Sequence, residues 1–289
     1  MYEHLPPQLW RTIQQRQFRQ KILIKSQGEG THRTRQKGFG SEFSEYRAYE
    51  PGDNPKHIDW NHFAKTDKLY TKVFLEEKNL SILLFIDGSN SMRFSSKWGY
   101  ARTLTLALGA IGVKNSETIS VCITPALPLL NMNSLGSLNR INQTFQILPS
   151  TEAMTLSSSV LATLQRAKLP SLAVIISDFL DEPAVFSEIL DVLRLKNIEI
   201  TGIQILDDVD FNPLGGLDFA KVVDSESGIE ATIYLPKDSK LKYAESLKRH
   251  CRAIETLFFN RRANFISITT EKDLTLVLNR TLKEGGLLL

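Results

Sequence analysis

The run Leu80-Ser81-Ile82-Leu83-Leu84-Phe85-Ile86 is apolar at nearly every position, a pattern that belongs to a strand with both faces buried. Thr118 to Ile123, Leu172 to Ile176, Ile198 to Leu206 and Asn264 to Ile268 are runs of the same kind, short, rich in Ile and Val and bounded by polar residues. Such strands need a helical layer on each side, and helical periodicities do fall between them. Ala101, Leu104, Ala107, Leu108 and Ile111 form one stripe, and Leu156 to Leu169 reads as a second helix. Val185, Phe186, Ile189, Leu190 and Leu193 form a third, with Asp181 as N-cap and Pro183 in the first turn. Ala244, Leu247, Cys251, Ile254 and Phe258 belong to a long helix begun by Asp238 or Ser239. The alternation predicts an α/β fold: a mostly parallel, Rossmann-like sheet with helices on both faces. Two segments interrupt it. Pro128 to Asn133 reads as an antiparallel edge strand, and a β-hairpin near 217–236, with Ser227-Gly228 at its middle, reads as an insertion.

Composition narrows the class without naming a function. With 42% hydrophobic and 23% charged residues in 289, the chain has ample material for a globular core. Cys122 and Cys251 lie in apolar patterns with no short-spaced partner, which predicts buried free thiols and a cytoplasmic protein. Neither a signal peptide nor a membrane-spanning stretch is expected. The charge is uneven, however. Arg11, Arg16, Arg19, Lys21, Lys25, Arg33, Arg35 and Lys37 face only Glu3 and Glu29 within residues 1–40. That segment is expected to be a basic, partly flexible arm, a solvated amphipathic helix followed by a linker rich in Gly, Arg and Lys between Gly28 and Gly40. Peripheral contact with acidic lipid is open to it; no specific nucleic-acid partner is predicted.

The chemistry concentrates at the end of the first buried strand, in Asp87-Gly88-Ser89-Asn90-Ser91. Ligands of open parallel sheets sit beyond the carboxyl ends of the strands. There, a tight loop can aim Asp87, Ser89 and Ser91 at one point. One carboxylate and two hydroxyls are hard oxygen ligands, suited to Mg²⁺ or Mn²⁺. Asp178 ends another apolar strand and is placed to accept a hydrogen bond from a metal-bound water. So few negative charges leave the ion electrophilic and open to a partner's acidic side chain. The same loop could serve a metal-dependent phosphohydrolase, but a nucleophilic-Asp phosphatase needs a second Asp where Ser89 stands. No catalytic residue is assigned. The spacing D-x-S-x-S arises by chance in about one chain in fifteen of this length, so the loop alone identifies nothing.

A longer block does. Gly38-Phe39-Gly40-Ser41-Glu42-Phe43, Arg47-Ala48-Tyr49-Glu50-Pro51-Gly52-Asp53 and Ile58-Asp59-Trp60 resemble the signature of domain-of-unknown-function family fifty-eight, which precedes a von Willebrand factor A-like domain. The resemblance covers roughly residues 28 to 280. It implies a metal-ion-dependent adhesion site built from Asp87, Ser89 and Ser91, with Asp178 as the further strand-end Asp. It also implies a Thr ligand. Setting Leu156 on the family's leucine puts Met154 at that position and leaves Thr155 or Thr151 as candidates. Family members are typically encoded beside MoxR-type AAA+ ATPases. The implied function is therefore a non-catalytic protein-interaction module, working with such an ATPase on an unidentified client complex.

Three regions follow: the arm at 1–40, the signature segment at 41–78, and the von Willebrand factor A-like domain at 79–289. Within the signature, Gly52-Asp53-Asn54-Pro55 reads as a turn, and Arg47, Gly52, Asp53, Asp59 and Trp60 as structural residues. Arg47 and Asp59 are expected to form buried polar links, with Trp60 and Phe63 packed on the sheet domain. A metal cluster of Asp53, His57, Asp59 and His62 is the less favoured reading, because no rigid element sets their spacing.

Overall fold

A computed structural model of the chain describes residues 5–19, 24–25, 42–53, 55–76, 80–93, 95–124, 129–147, 156–166, 169–212, 219–223, 230–234 and 237–289. Gly28 to Gly40, Thr151 and Thr155 lie outside them. In chain order the first elements are α1 (Pro7–Gln15), β1 (Ile24–Lys25), β2 (Glu42–Ala48), α2 (Trp60–Thr66), β3 (Tyr70–Glu76), β4 (Ser81–Asp87), α3 (Asn90–Arg93) and α4 (Lys97–Lys114). Then come β5 (Thr118–Thr124), β6 (Leu130–Met132), α5 (Ser137–Ile147), α6 (Leu156–Arg166), β7 (Leu172–Ser177), α7 (Pro183–Leu195) and β8 (Glu199–Leu206). The last are α8 (Asp208–Phe211), β9 (Phe219–Val223), β10 (Glu230–Tyr234), α9 (Lys237–Asn260), β11 (Asn264–Thr269), α10 (Leu274–Leu276) and α11 (Leu282–Glu284). Residues 1–19 and 80–289 form one compact unit, and 20–79 form another.

In the larger unit six strands pair in the order β11-β8-β7-β4-β5-β6, parallel throughout except at the β6 edge. This is the α/β fold of the von Willebrand factor A-like, Rossmann-like class, with β9 and β10 as the inserted antiparallel hairpin. The strand pleat explains the near-continuous apolar runs. Along β4, Ile82, Leu84 and Ile86 enter one core while Leu83 and Phe85 enter the other. Along β7, Leu172, Val174 and Ile176 alternate in the same way with Ala173 and Ile175. One core is roofed by α4 and α5, through residues such as Leu104, Leu108, Ile141 and Phe145. The other is roofed by α6, α7 and α9, through Val160, Leu190, Ile254 and Phe258.

Three helices differ in detail from the sequence reading. The N-cap of α7 is Glu182 rather than Asp181, with no side-chain cap; Pro183 opens the helix instead, supplying a helical φ where no backbone donor is needed. Helix α9 begins at Lys237, so Asp238 and Ser239 stand inside its first turn. The apolar face of α1 is not solvated. Leu9 and Ile13 are buried in the core beside α4, and Phe18 bridges to Leu288. Arg16 is used internally as well: its Nε and Nη2 donate to Asn279 Oδ1 at 3.1 and 2.6 Å, and its Nη1 donates to the Leu289 carbonyl at 3.2 Å. Burying two aliphatic side chains is worth about 3–6 kcal/mol, enough to draw a basic helix onto the domain.

The smaller unit is built on an antiparallel sheet in the order β1-β3-β2. Its turn falls where the sequence puts it, with Gly52 at φ 115°, a conformation that disfavours side chains. Asp53 closes the turn, its Oδ2 accepting from the Glu50 amide at 3.0 Å and its Oδ1 from Arg47 at 2.6 Å. Asp59 is buried and caps α2, with Oδ1 accepting from the His62 amide at 3.0 Å. Its Oδ2 accepts from Tyr46 Oη at 2.9 Å and faces Lys72 Nζ at 3.2 Å. These bonds, the His62 amide foremost, hold its carboxyl down at about 2. Arg47, partly exposed, makes its links to Glu50 and Asp53, so only Asp59 is the buried polar link of the pair. Trp60 is exposed and meets Phe63 edge-on.

One half-buried acid, just before β5, makes stability depend on pH. Burial pushes the Glu117 carboxyl up to about 7, and its Oε2 is buried without a hydrogen-bond partner among the described residues. A raised carboxyl favours the folded state fully below its ordinary range near 4.5, and that contribution is lost as pH rises through about 7. Glu117→Gln should remove this loss. Thermal unfolding at pH 5 and pH 8 should show a gap between the two conditions smaller by about 2–4 °C in the variant.

Candidate metal-binding edge of the sheet

Strand β4 is the topological switch point: the chain runs from it to β5 and β6 on one side, then returns to β7, β8 and β11 on the other. Loops leaving β4 and β7 diverge there, the point where open α/β sheets bind ligands. Asp87 ends β4 and Asp178 follows β7, so both predicted strand-end acids stand at that edge.

The loop after Asp87 is wound tightly against β5. The Gly88 amide donates to the Thr124 carbonyl at 2.8 Å, and a Cβ on Gly88 would lie 2.4 Å from that same oxygen. Glycine is required by close approach. The turn is completed by Asp87, whose Oδ1 accepts from the Ser89 amide at 2.9 Å. It leaves the hydroxyls of Ser89 and Ser91 sharing a hydrogen bond at 3.0 Å, before and within the short α3. The structure therefore brings Asp87, Ser89 and Ser91 together.

The two acids have opposite surroundings. Asp87 is buried, with 5% of its surface exposed, and its Oδ2 accepts from Ser177 Oγ at 2.7 Å. Among the described residues it has neutral hydrogen-bond donors and no ion-pair partner. Burial, the largest cause, and the nearby Asp178 charge together lift it to about 6 against the opposing Ser177 and Ser89 bonds. Asp178 is buried too, but its Oδ2 lies 2.9 Å from Lys97 Nζ.

Lys97 was not singled out from sequence. It is the first residue of α4, 2% exposed, and its ammonium also reaches Asp210 Oδ1 at 2.9 Å. Burial pulls its pKa down, but Asp178 and Asp210 more than offset that, and the net shift is upward. A legible signal existed: a cation opening a helix opposes the helix dipole, and an apolar helix that starts with lysine needs carboxylates nearby. Asp207 adds a second tie. Its Oδ2 accepts from Ser95 Oγ at 2.8 Å and from the Ser96 amide and hydroxyl at 3.2 and 2.5 Å. Its carboxyl is lowered to about 2 because these Ser96 and Ser95 bonds outweigh the cost of burial.

Strain at the next residue aims Asp178. Phe179 has φ 53°, rare for a bulky side chain. It is held there by contacts with Phe186, Phe258 and Phe265, their ring centroids 4.9, 5.5 and 5.4 Å away. Its amide donates to Ser177 Oγ at 3.0 Å, and its carbonyl accepts from His250 Nε2 at 2.7 Å. Gln204 Nε2 in turn donates to the Asp178 carbonyl at 3.0 Å. The turn is over-determined, as strained backbone must be.

Among the described residues, no group of three or more His, Cys, Asp or Glu side chains is arranged to hold a metal. That holds for Asp53, His57, Asp59 and His62 as well. The strand-end loop offers a different donor set, one carboxylate and two hydroxyls. A desolvated carboxylate faced only by neutral donors fits a hard divalent cation.

An α/β sheet with an Asp-x-Ser-x-Ser loop at its switch point is the plan of a von Willebrand factor A-like domain. Residues 45–253 match the family model described as "Protein of unknown function DUF58", and the chain belongs to that family. It is 24% identical over 250 residues to an uncharacterised protein of Mycobacterium tuberculosis, a match covering 82% of this chain and 77% of the relative. Among solved structures it is similar to the conserved hypothetical protein BatB from Bacteroides thetaiotaomicron, at 9% identity and a TM-score of 0.45, covering 72% of this chain and 98% of that one. It is also similar to the SpRpn10 VWA domain, at 12% identity and a TM-score of 0.39, covering 69% and 94%. Among the described residues no helix is long and apolar enough to cross a membrane.

Gly88→Ala should still fold but lose about 1–3 kcal/mol, the usual cost of forcing a methyl into a packed site. A lower urea midpoint with an unchanged slope would report it; an unchanged midpoint would contradict the close approach to Thr124.

Proposed function

We propose that this chain is a non-catalytic, metal-dependent protein-interaction module. Asp87, Ser89 and Ser91 bind Mg²⁺ or Mn²⁺, and the ion takes an acidic side chain of a partner. One observation carries the reading: Asp87 is a buried carboxylate at the switch point with, among the described residues, only neutral hydrogen-bond donors around it, a setting that suits a cation. Two adjacent hydroxyls supply further hard oxygens. The ion would serve as a Lewis acid with positions left for water and for the partner's carboxylate. Thr155 or Thr151 is the candidate for a further ligand from the chain.

The proposed partner is a MoxR-type AAA+ ATPase, with assembly or activation of a client complex in the cytoplasm as the outcome. This partner is what the family resemblance implies, since members of that family are typically encoded beside such ATPases. A phosphohydrolase using the same loop is disfavoured, since the second position after Asp87 is a hydroxyl, Ser89, and not an acid–base carboxylate.

Two measurements test the proposal. The free-ion EPR signal of Mn²⁺ should fall on adding the chain, and Asp87→Ala should weaken that binding at least tenfold, the scale of losing one charged hard ligand. Co-purification with the MoxR-type ATPase should depend on Mg²⁺ and be lost in Asp87→Ala. Equal ATPase binding by the variant and the parent would defeat the metal-dependent reading.

A further inference from the structure

Lys97 is a costly feature. An ammonium 2% exposed must be fully compensated, and here Asp178 and Asp210 each approach it at 2.9 Å. Its partners lie 81 and 113 residues away in sequence, so tertiary packing alone sets the cluster. It stands beside the Asp87 loop in two senses. Through the chain, Lys97 follows the loop 87–93 by a few residues. Through space, β7 pairs with β4, and Ser177 at its end donates its Oγ to Asp87 Oδ2 at 2.7 Å, so the Asp178 carboxylate that Lys97 binds belongs to the very next residue.

We propose that Lys97 is a positioning residue that sets the strength of metal binding at Asp87, by holding the Asp178 carboxylate in an ion pair and away from the ion's water shell. This rests on the reading of Asp87, Ser89 and Ser91 as metal ligands. An ammonium fixed beside the site also repels a divalent cation directly. Both effects weaken the ion's hold and leave it more electrophilic, which favours capture of a carboxylate from a partner. The ties of Ser95 and Ser96 to Asp207, and of the Asp207 amide to Asp210 Oδ2 at 2.8 Å, keep the start of α4 and the loop after β8 in register around the lysine. Tyr243 Oη adds α9 to the cluster, donating to the Asp210 carbonyl at 2.9 Å.

The test is Mn²⁺ titration of the full chain at pH 7.5, read by the EPR signal of free Mn²⁺, with thermal unfolding in EDTA alongside. Lys97→Met should bind Mn²⁺ about tenfold more tightly than the parent, although it melts at a lower temperature without metal. Lys97→Arg, which keeps the charge, should stay within about threefold of the parent. Lys97→Met combined with Asp178→Asn should lose most of the gain, since the freed carboxylate is gone and only the relief from the ammonium's repulsion is left. Should Lys97→Met fail to fold, Lys97→Gln carries the same expectation.

Unchanged or weaker Mn²⁺ affinity in a folded Lys97→Met protein would overturn the proposal. So would a double variant that keeps the full gain, or a series in which no variant binds. If the parent fails to bind and Lys97→Met binds, Lys97 has the proposed role and the reading of the native loop as an occupied site fails. If Asp87→Ala binds as well as the parent, the ion lies elsewhere, and both readings fall.

Discussion

Three acids converge at one end of a sheet whose two faces are dry, and the arrangement of that edge depends on how their charge is balanced. Water is scarce there, so each carboxylate needs donors or a cation. Asp207 is satisfied by Ser95 and Ser96, and Asp178 by the Lys97 ammonium. Asp87 has Ser177 and the Ser89 amide, both neutral. The difference is physical: one acid is already neutralised by the chain, and the other has, among the described residues, no countercharge. The proposed cation-binding role for Asp87 draws more support from that contrast than from the Asp-x-Ser-x-Ser spacing.

The sheet makes the contrast possible. Because β4 lies at the switch point, its end is flanked by β5 and β7, and each neighbour contributes one contact to the loop. Thr124 receives the Gly88 amide, and Ser177 donates to Asp87. On the far side, the strained Phe179 is pinned by an aromatic cluster drawn from α7, α9 and β11. Core packing is thereby converted into the orientation of a polar side chain: the aromatic rings keep the turn in an unfavourable backbone region, and the turn sends Asp178 toward Lys97. Rigid elements hold the proposed ligands, so partner binding would meet a preformed surface.

The same cluster links the proposed site to the rest of the domain. Lys97 opens α4, which lies between the sheet and α1, while Asp210 is tied to α9 through Tyr243. Ser95 to Lys97 thus connect the segment after the Asp87 loop to the loop after β8 by direct contacts.

Much of the fold was legible because its signals are local. Strands buried on both faces write themselves as apolar runs, turns as Gly and Pro, and Asp87 and Asp178 stand directly after such runs. The turn at Gly52 and Asp53 was readable for the same reason, since its bonds join residues three to six apart. What could not be read depends on contacts across the chain. Leu9 and Ile13 look like one face of a solvated basic helix until α4 and the segment ending in Leu288 cover them. Asp59 and Arg47 both look like structural polar residues, but only the fold gives Asp59 to Tyr46 and Lys72. Lys97 is the sharpest case. Sequence alone established a strand-end loop of hard oxygens; only the tertiary structure placed an ammonium on Asp178 and, among the described residues, none on Asp87, because the partners of a buried charge are chosen by three-dimensional packing and not by spacing along the chain.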